Sequence, residues 1–272
     1  MVNHRTAERW IVAALAMAAL VPRTLQGADA VRLDAFLAVH RGAAKSAGAG
    51  QWADAGKTYA AFAAEKPSDA GAPLASFLHG LILLRNLNDT AAASKVLTGL
   101  AASKPTTPLG AAAVHAAKAW LARLQMARLD KVLRAYWVDE VEYPETLDAL
   151  VKTNRVKPDA IVDPWGKPFV YTTSALKLAP DMPRQKYVLR CGDLDGTSRD
   201  LRKMLDATRG LGKGISVRGY MPGPQPGASV VMSDGTSTIV TQGGTLGSAT
   251  VVAVTRQAIV LAAPDNLTVL TR

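Results

Sequence analysis

A long segment without helix-breaking residues places the strongest constraint on how this chain can fold. Residues 112–139 contain neither proline nor glycine, and Met126, Leu129 and Leu133 follow one another at steps of three or four. This spacing puts the apolar side chains on one face, so it predicts a single long helix with a buried stripe. Pro144 ends the segment, because the residue before a proline is driven out of the helical region.

The segment before this helix, residues 31–117, has the pattern of helical hairpins. It is rich in alanine and poor in β-branched residues, and Pro67 and Pro105 interrupt it at a regular interval. Asn88 and Asp89 supply turn and N-cap chemistry between two apolar runs with helical spacing. The regular period predicts a repeated helix–turn–helix unit.

One stretch of this region has a more specific pattern. Trp52, Ala55, Gly56 and Tyr59 have the spacing of the opening helix of a tetratricopeptide repeat, which the stretch resembles. Gly56 would let the neighbouring helix approach closely. The alternative is a generic bundle of α-hairpins. With either architecture, the region is expected to be a scaffold or docking surface.

The first residues predict an export signal. Arg5 and Arg9 precede an uncharged stretch at 10–21, Pro22 follows, and residues 28–30 have the small-x-small pattern of a cleavage site. These are the three zones of a signal peptide at residues 1–30, so a periplasmic protein is predicted. A spanning helix needs about 20 apolar residues, so no stable transmembrane anchor is expected. The alternatives are an uncleaved anchor or a buried helix.

The net charge of the chain indicates which class of partner to expect. The formal net charge is +10, which in an exported protein favours anionic or acidic partners. The basic residues are dispersed, apart from a run on the predicted long helix that a solvated helix face explains. That run is Lys118, Arg123, Arg128, Lys131 and Arg134. We therefore expect no nucleic-acid binding.

The side chains that carry most enzyme chemistry are scarce. A single cysteine, Cys191, excludes an internal disulfide and a multi-thiolate metal site, and no two of the four histidines stand at i, i+4. Ser174 and Lys177 fit S-x-x-K, but they fall in a loop and no K-T-G follows. The P-loop and G-x-S-x-G patterns are missing from the sequence. The sequence therefore predicts a protein that is not an enzyme, with no catalytic residues and no certain cofactor.

A turn followed by a strand stands downstream of the long helix. Asp163, Pro164 and Gly166 are the residues that a type I turn prefers, and the Asp163 carboxylate can cap the amides of the turn. Phe169 and Tyr171 alternate, so a strand should leave the turn with both rings on one face. The motif as a whole is Asp163, Pro164, Trp165, Gly166, Phe169 and Tyr171. A second strand is predicted at residues 187–190.

The order of these parts resembles the globular domain of the major pseudopilin of type II secretion systems, over about residues 120–200. The resemblance rests on the long helix, Tyr143-Pro144, the motif D-P-W-G-x-P-F-x-Y, and Gly192-Asp193. The alternative is an unrelated small α+β domain. Members of that family begin with a prepilin peptidase site and an apolar helix, whereas a signal peptide and hairpins are predicted here. The resemblance therefore implies a relative that docks on such a machine.

The resemblance also implies a calcium ion in the loop after the last strands of the domain. The matching oxygen donors are Asp193, Asp195, Ser198 and Asp200. The stretch does not fit an EF-hand, because Cys191 and Arg202 stand where carboxylates are needed. The alternative is an acidic turn that caps the following helix.

Beyond a Gly-rich linker at 208–214, the chain changes from Ala and Leu to Val, Ile and Thr. Five short strands are predicted, at 230–232, 238–241, 250–254, 259–261 and 267–270, which favours a small sandwich or barrel at residues 213–272. The module resembles the periplasmic β domains of the secretion clamp protein and of a pilus lipoprotein, which contact the secretin. The matching residues are Gly219, Asp234, Gly235, Val240, Gly243, Gly247, Val251, Val254, Ile259 and Leu261.

Together these parts predict an α+β chain with four segments. They are a signal peptide at 1–30, hairpins at 31–117, a pseudopilin-like domain at 118–207 and a β module at 213–272. The expected function is a non-catalytic component of a type II secretion or type IV pilus-like system, with the secretin or pseudopilus subunits as partners. The alternative function is a general periplasmic adaptor of the tetratricopeptide type.

Overall fold

Residues 34–140 form a succession of helices. The computed structural model describes residues 32–174, 185–194 and 201–272, so the predicted signal peptide lies outside the described residues. The first helices are α1 (Asp34–Gly48), α2 (Trp52–Glu65), α3 (Ala72–Arg85), α4 (Thr90–Ala101) and the long α5 (Pro108–Glu140). Shorter elements follow: α6 (Leu147–Lys152), a 3-10 turn (Pro158–Ile161) and α7 (Leu201–Ala207).

Each of the helices α1 to α5 packs against the next one along the chain. Their shared core contains Phe36, Phe77, Leu97 and Trp120, all fully buried. The expected turn chemistry is present before α4, where the Asp89 carboxylate accepts a hydrogen bond from Ala92 N–H at 2.9 Å. The helical hairpins predicted for this region are therefore present as helices.

A close approach of two helices lies at a different glycine from the one expected. A Cβ added at Gly56 would meet His79 and Ile82 at 3.5 Å, which is an ordinary contact distance. At Gly80 of α3, an added Cβ would lie 2.8 Å from Leu97 Cδ2 of α4, closer than side chains pack. The packing of α3 on α4 therefore requires a small residue at Gly80, whereas Gly56 leaves room for a side chain.

Helix α5 takes part in two hydrophobic cores. Trp120 and Leu124 pack with the hairpins, whereas Met126, Leu129 and Leu133 belong to a second cluster, as the predicted stripe requires. The helix runs without a break through positions 117 and 118, where the boundary between the hairpins and the pseudopilin-like domain was predicted. The two cores are therefore joined by one continuous element.

A small sheet covers the second half of α5. Strands β1 (Val170–Thr173) and β2 (Tyr187–Arg190) pair antiparallel, with Tyr171 opposite Leu189. Phe169 and Leu189 are buried against the α5 stripe. Both strands predicted from the sequence are present, and the sheet packs on the long helix as expected.

The C-terminal module consists of two antiparallel sheets. One has the order β3 (Ser216–Met221), β4 (Gly227–Val231), β5 (Ser237–Thr241). The other has the order β6 (Thr245–Leu246), β7 (Ala249–Val254), β8 (Ala258–Ala263), β9 (Asn266–Thr271). One hydrophobic cluster draws Val217 and Val230 from the first sheet and Val251 and Ile259 from the second. The five predicted strands all overlap observed ones, whereas β3 and β6 were not predicted.

The segment 208–214 was expected to be a linker, and this expectation is wrong. Thr208 is buried, and its carbonyl accepts a hydrogen bond of 2.7 Å from Asn266 Nδ2. Gly212 has a φ of +77°, and an added Cβ would lie 2.8 Å from Leu270 Cδ2. Gly212 is therefore needed for a packed turn on the β module, since glycine adopts this conformation without strain.

The β module packs on the helices. Val260 and Leu267 join the hydrophobic cluster of the hairpins, and Arg85 donates a hydrogen bond to Thr208 Oγ1. In the described ranges, no helix combines the length and the apolar character needed to cross a bilayer.

Candidate functional site

The turn at Asp163 is held by its own carboxylate. Asp163 Oδ1 accepts hydrogen bonds from Trp165 N–H and Lys167 N–H, both at 2.9 Å. The Asp163 carbonyl accepts Gly166 N–H at 2.9 Å, and Gly166 has a φ of +84°. The predicted capping of the turn by Asp163 is therefore present, and the turn is fixed from inside.

The second oxygen of Asp163 faces the only cysteine. Cys191 Sγ donates to Asp163 Oδ2 at 3.3 Å, and both side chains are buried. Burial raises the pKa of the Cys191 thiol to about 11, so the thiol stays protonated at neutral pH. Cys191, directly after the second strand, is therefore tied to the turn by this hydrogen bond.

Trp165 packs against the long helix. Its half-buried ring lies 5.5 Å, centroid to centroid, from the ring of His115 on α5. Burial lowers the pKa of His115, opposed by nearby Asp193, so the imidazole is neutral near pH 7. The turn is thereby seated on the helix through an aromatic contact that the sequence analysis did not anticipate.

Tyrosines fasten the small sheet to the end of the helix. Tyr171 Oη donates to the carbonyl of Pro144 at 2.9 Å, and burial raises the pKa of Tyr171 to about 12. The Tyr143 and Tyr187 rings meet edge to face at 4.6 Å. Tyr187 Oη also donates to Asp130 of α5. The residues of the Asp163 turn and of the small sheet therefore form one packed body with α5.

Exposed valines surround this body. Among the described residues, large hydrophobic side chains that face solvent are concentrated in this part of the chain. They are Val138, Val141, Val162, Val170 and Val188. Val138 and Val141 are 70% and 69% exposed, and Val141 has a φ of 61°, which is strained for a β-branched residue. Sequence reasoning missed these residues, because an isolated valine carries no signal of its exposure.

The residues predicted to bind calcium are only partly described. Asp193 Oδ1 forms an ion pair with Lys167 Nζ at 2.9 Å, and Asp193 Oδ2 is buried without a hydrogen-bond partner. Asp195, Ser198 and Asp200 lie outside the described residues. Within residues 32–174, 185–194 and 201–272, no group of three or more His, Cys, Asp or Glu side chains is arranged to hold a metal ion.

Comparison with known proteins identifies the region of α5 and the Trp165 turn. The family model for protein G of the type II secretion system matches residues 111–182, which include most of α5, the Trp165 turn and β1. No curated protein and no solved structure matches the chain. Residues 111–182 thus form a pseudopilin-like domain, similar to protein G of the type II secretion system.

Proposed function

We propose that this protein is an exported, non-catalytic component of a type II secretion or type IV pilus-like system. The observation that carries the proposal is the family match at residues 111–182, in the region where the Trp165 turn packs on α5. In this proposal the signal peptide directs the chain to the periplasm. The helical hairpins act as tetratricopeptide-type docking units, and the β module, as a small sandwich, contacts the secretin.

The exposed valines support a protein-binding role for the pseudopilin-like domain. Surface hydrophobic side chains that cluster mark interaction sites more often than scattered ones do. Val141 is both strained and exposed, so neither packing nor backbone preference accounts for a valine at this position. Contact of Val138 and Val141 with a partner protein accounts for both features.

Binding to purified partners tests this proposal. The mature chain is immobilised, and the periplasmic part of the secretin and the major pseudopilin subunit from the same cell are passed over it. We expect saturable binding of at least one of them, with an affinity about tenfold lower for the double variant Val138→Ser/Val141→Ser.

Ile239→Ser is the matched control, because Ile239 is also 63% exposed but lies on β5 of the C-terminal module. Its affinity for the pseudopilin subunit should equal that of the unchanged chain. If neither purified partner binds, the secretion proposal is wrong. If both variants lose affinity equally, the valines are not the contact site.

A groove on the hairpins favours the second candidate, a general periplasmic adaptor. Helices α2, α3 and α4 enclose a groove of about 640 Å³, lined by His79, Leu83, Val96 and Leu100 among others. Under this proposal an apolar peptide binds there. Substitution of Val96 by Glu should then abolish peptide binding and leave secretin binding unchanged.

We also propose a calcium site at Asp193, which one observation supports and another opposes. The buried, unpartnered Asp193 Oδ2 offers an oxygen to a cation, whereas Lys167 Nζ already neutralises the same carboxylate. A bound ion stabilises the fold by mass action, so calcium at millimolar concentration should raise the melting temperature. Asp193→Asn should remove that rise. If magnesium and calcium give the same small effect, there is no calcium site.

A further inference from the structure

Three arginine residues line one pocket between helix α1 and the C-terminal module. The pocket has a volume of about 320 Å³ and is lined by Arg41 of α1, by Arg256 in the turn between β7 and β8, and by Arg272 after β9. Leu37, Gln257 and Thr271 complete its lining, which includes no acidic side chain. The pocket lies where helix α1 and the C-terminal sheet are joined by the hydrogen bond between Arg41 and Gln257.

Gln257 forms hydrogen bonds with two of these arginines. Its side-chain oxygen accepts a hydrogen bond from the Arg41 guanidinium, across 216 positions of sequence. Its backbone carbonyl accepts Arg272 N–H at 2.8 Å. Gln257 thus bonds to the side chain of an arginine on α1 and to the backbone of the arginine after β9.

These arginines lack the acidic partners that others in the chain have. Arg123, Arg134, Arg155 and Arg209 each pair with an Asp or Glu. Within the described ranges, Arg41, Arg256 and Arg272 form no ion pair. Three like charges in one pocket repel each other unless an anion lies between them. Guanidinium groups bind oxyanions through paired hydrogen bonds, which makes such a pocket selective for them.

We propose that this pocket binds an acidic peptide segment of a partner protein. The volume exceeds that of one oxyanion, so several anionic groups are needed to fill it, and neighbouring acidic side chains of a peptide supply them together. Their methylene groups suit the apolar part of the lining at Leu37 and Thr271. The pocket lies outside residues 111–182, so this site is distinct from the proposed valine contact and stands independently of it.

The test measures the binding of a fluorescent hexapeptide of glutamate by anisotropy, at about 150 mM salt so that distant charges are screened. A hexapeptide of glutamine is the control ligand. We expect the glutamate peptide to bind, and Arg41→Gln and Arg256→Gln each to weaken binding about fivefold or more. Both side chains are exposed, so neither change should unfold the chain.

Arg218→Gln is the matched control variant, because Arg218 is exposed on β3 and its loss removes the same charge. Its binding should stay within about twofold of the unchanged chain. If Arg218→Gln weakens peptide binding equally, the loss of binding comes from the change in net charge alone, and the proposal is wrong. Binding of pyrophosphate without binding of the glutamate peptide would also overturn it, because the ligand would then be a phosphate.

Discussion

Arg123 of the long helix and Asp265 of the C-terminal module form an ion pair of 2.6 Å. The two side chains are only 10% and 22% exposed. Trp120 Nε1 donates to the backbone carbonyl of the same Asp265 at 2.7 Å. One residue in the turn between β8 and β9 therefore anchors the module to α5 through both its side chain and its backbone.

Loss of this carboxylate should destabilise the chain strongly. Asp265→Ala leaves the Arg123 guanidinium buried without its partner, which costs about 3 kcal/mol of unfolding free energy. The midpoint of urea unfolding measures the change. Arg134→Ala is the comparison, because Arg134 is 71% exposed and its pair with Asp130 should contribute under about 1 kcal/mol. Equal losses in the two variants would show that the Arg123–Asp265 pair does not anchor the module.

The two helical glycines Gly80 and Gly42 should respond to alanine in opposite directions. Alanine at Gly80 of α3 would collide with Leu97 at 2.8 Å, so Gly80→Ala should cost about 1–3 kcal/mol. Gly42 of α1 has no atom within 4 Å of an added Cβ, so Gly42→Ala should gain about 0.5–1 kcal/mol. Thermal melts of both variants check this. A gain at Gly80 would mean that α3 and α4 are not in close contact.

His40 should make the protein less stable in acid. Burial between α1 and α2 lowers the pKa of His40 to about 4, and its Nδ1 lies 2.7 Å from Tyr59 Oη. The unfolded chain takes up this proton near pH 6.5, whereas the folded chain resists it until about pH 4. Stability is therefore lost as the pH falls through this window, by up to about 3 kcal/mol.

Urea unfolding at pH 7 and at pH 4.5 measures the loss. His40→Gln keeps a hydrogen-bonding group near Tyr59 but does not titrate, so the difference between the two pH values should shrink. If the pH profiles of the two proteins superimpose, His40 is not the group responsible.

Relief of the strain at Val141 should stabilise the chain. A left-handed backbone conformation costs a non-glycine residue about 1–2 kcal/mol, so Val141→Gly should raise the unfolding free energy by about 1 kcal/mol. Val138→Gly should lower it by about as much, because Val138 lies inside the last turn of α5. Differential scanning calorimetry compares the two. Destabilisation by Val141→Gly would show that the Val141 side chain contributes to the folded state.

The parts of the structure that follow from the sequence are those decided locally. The stripe of Met126, Leu129 and Leu133 specifies the buried face of α5 through spacing alone. The Asp163 turn is likewise held by hydrogen bonds within four residues. Strand β3 was missed because Gly219 and a shift in register after Val217 break its alternation.

The contacts that join the modules could not be derived in this way. Arg123 and Asp265 are 142 positions apart, and no spacing rule links them. The segment 208–214 was expected to be a linker because its glycines are typical of linkers, whereas Gly212 packs against Leu270 and Gly214 against Ser233. The pairing of distant residues depends on how separate apolar faces meet, which periodicity does not describe.

The shared membership of α5 in two cores has a mechanical consequence. A helix of 33 residues is about 50 Å long, and here it lines two packed cores at once, with the Trp165 turn reaching back to His115. The hairpins and the Trp165 head therefore cannot swivel independently without breaking the helix. Two proteins bound at opposite ends of this chain would be held at a set separation and angle, as by a rigid spacer.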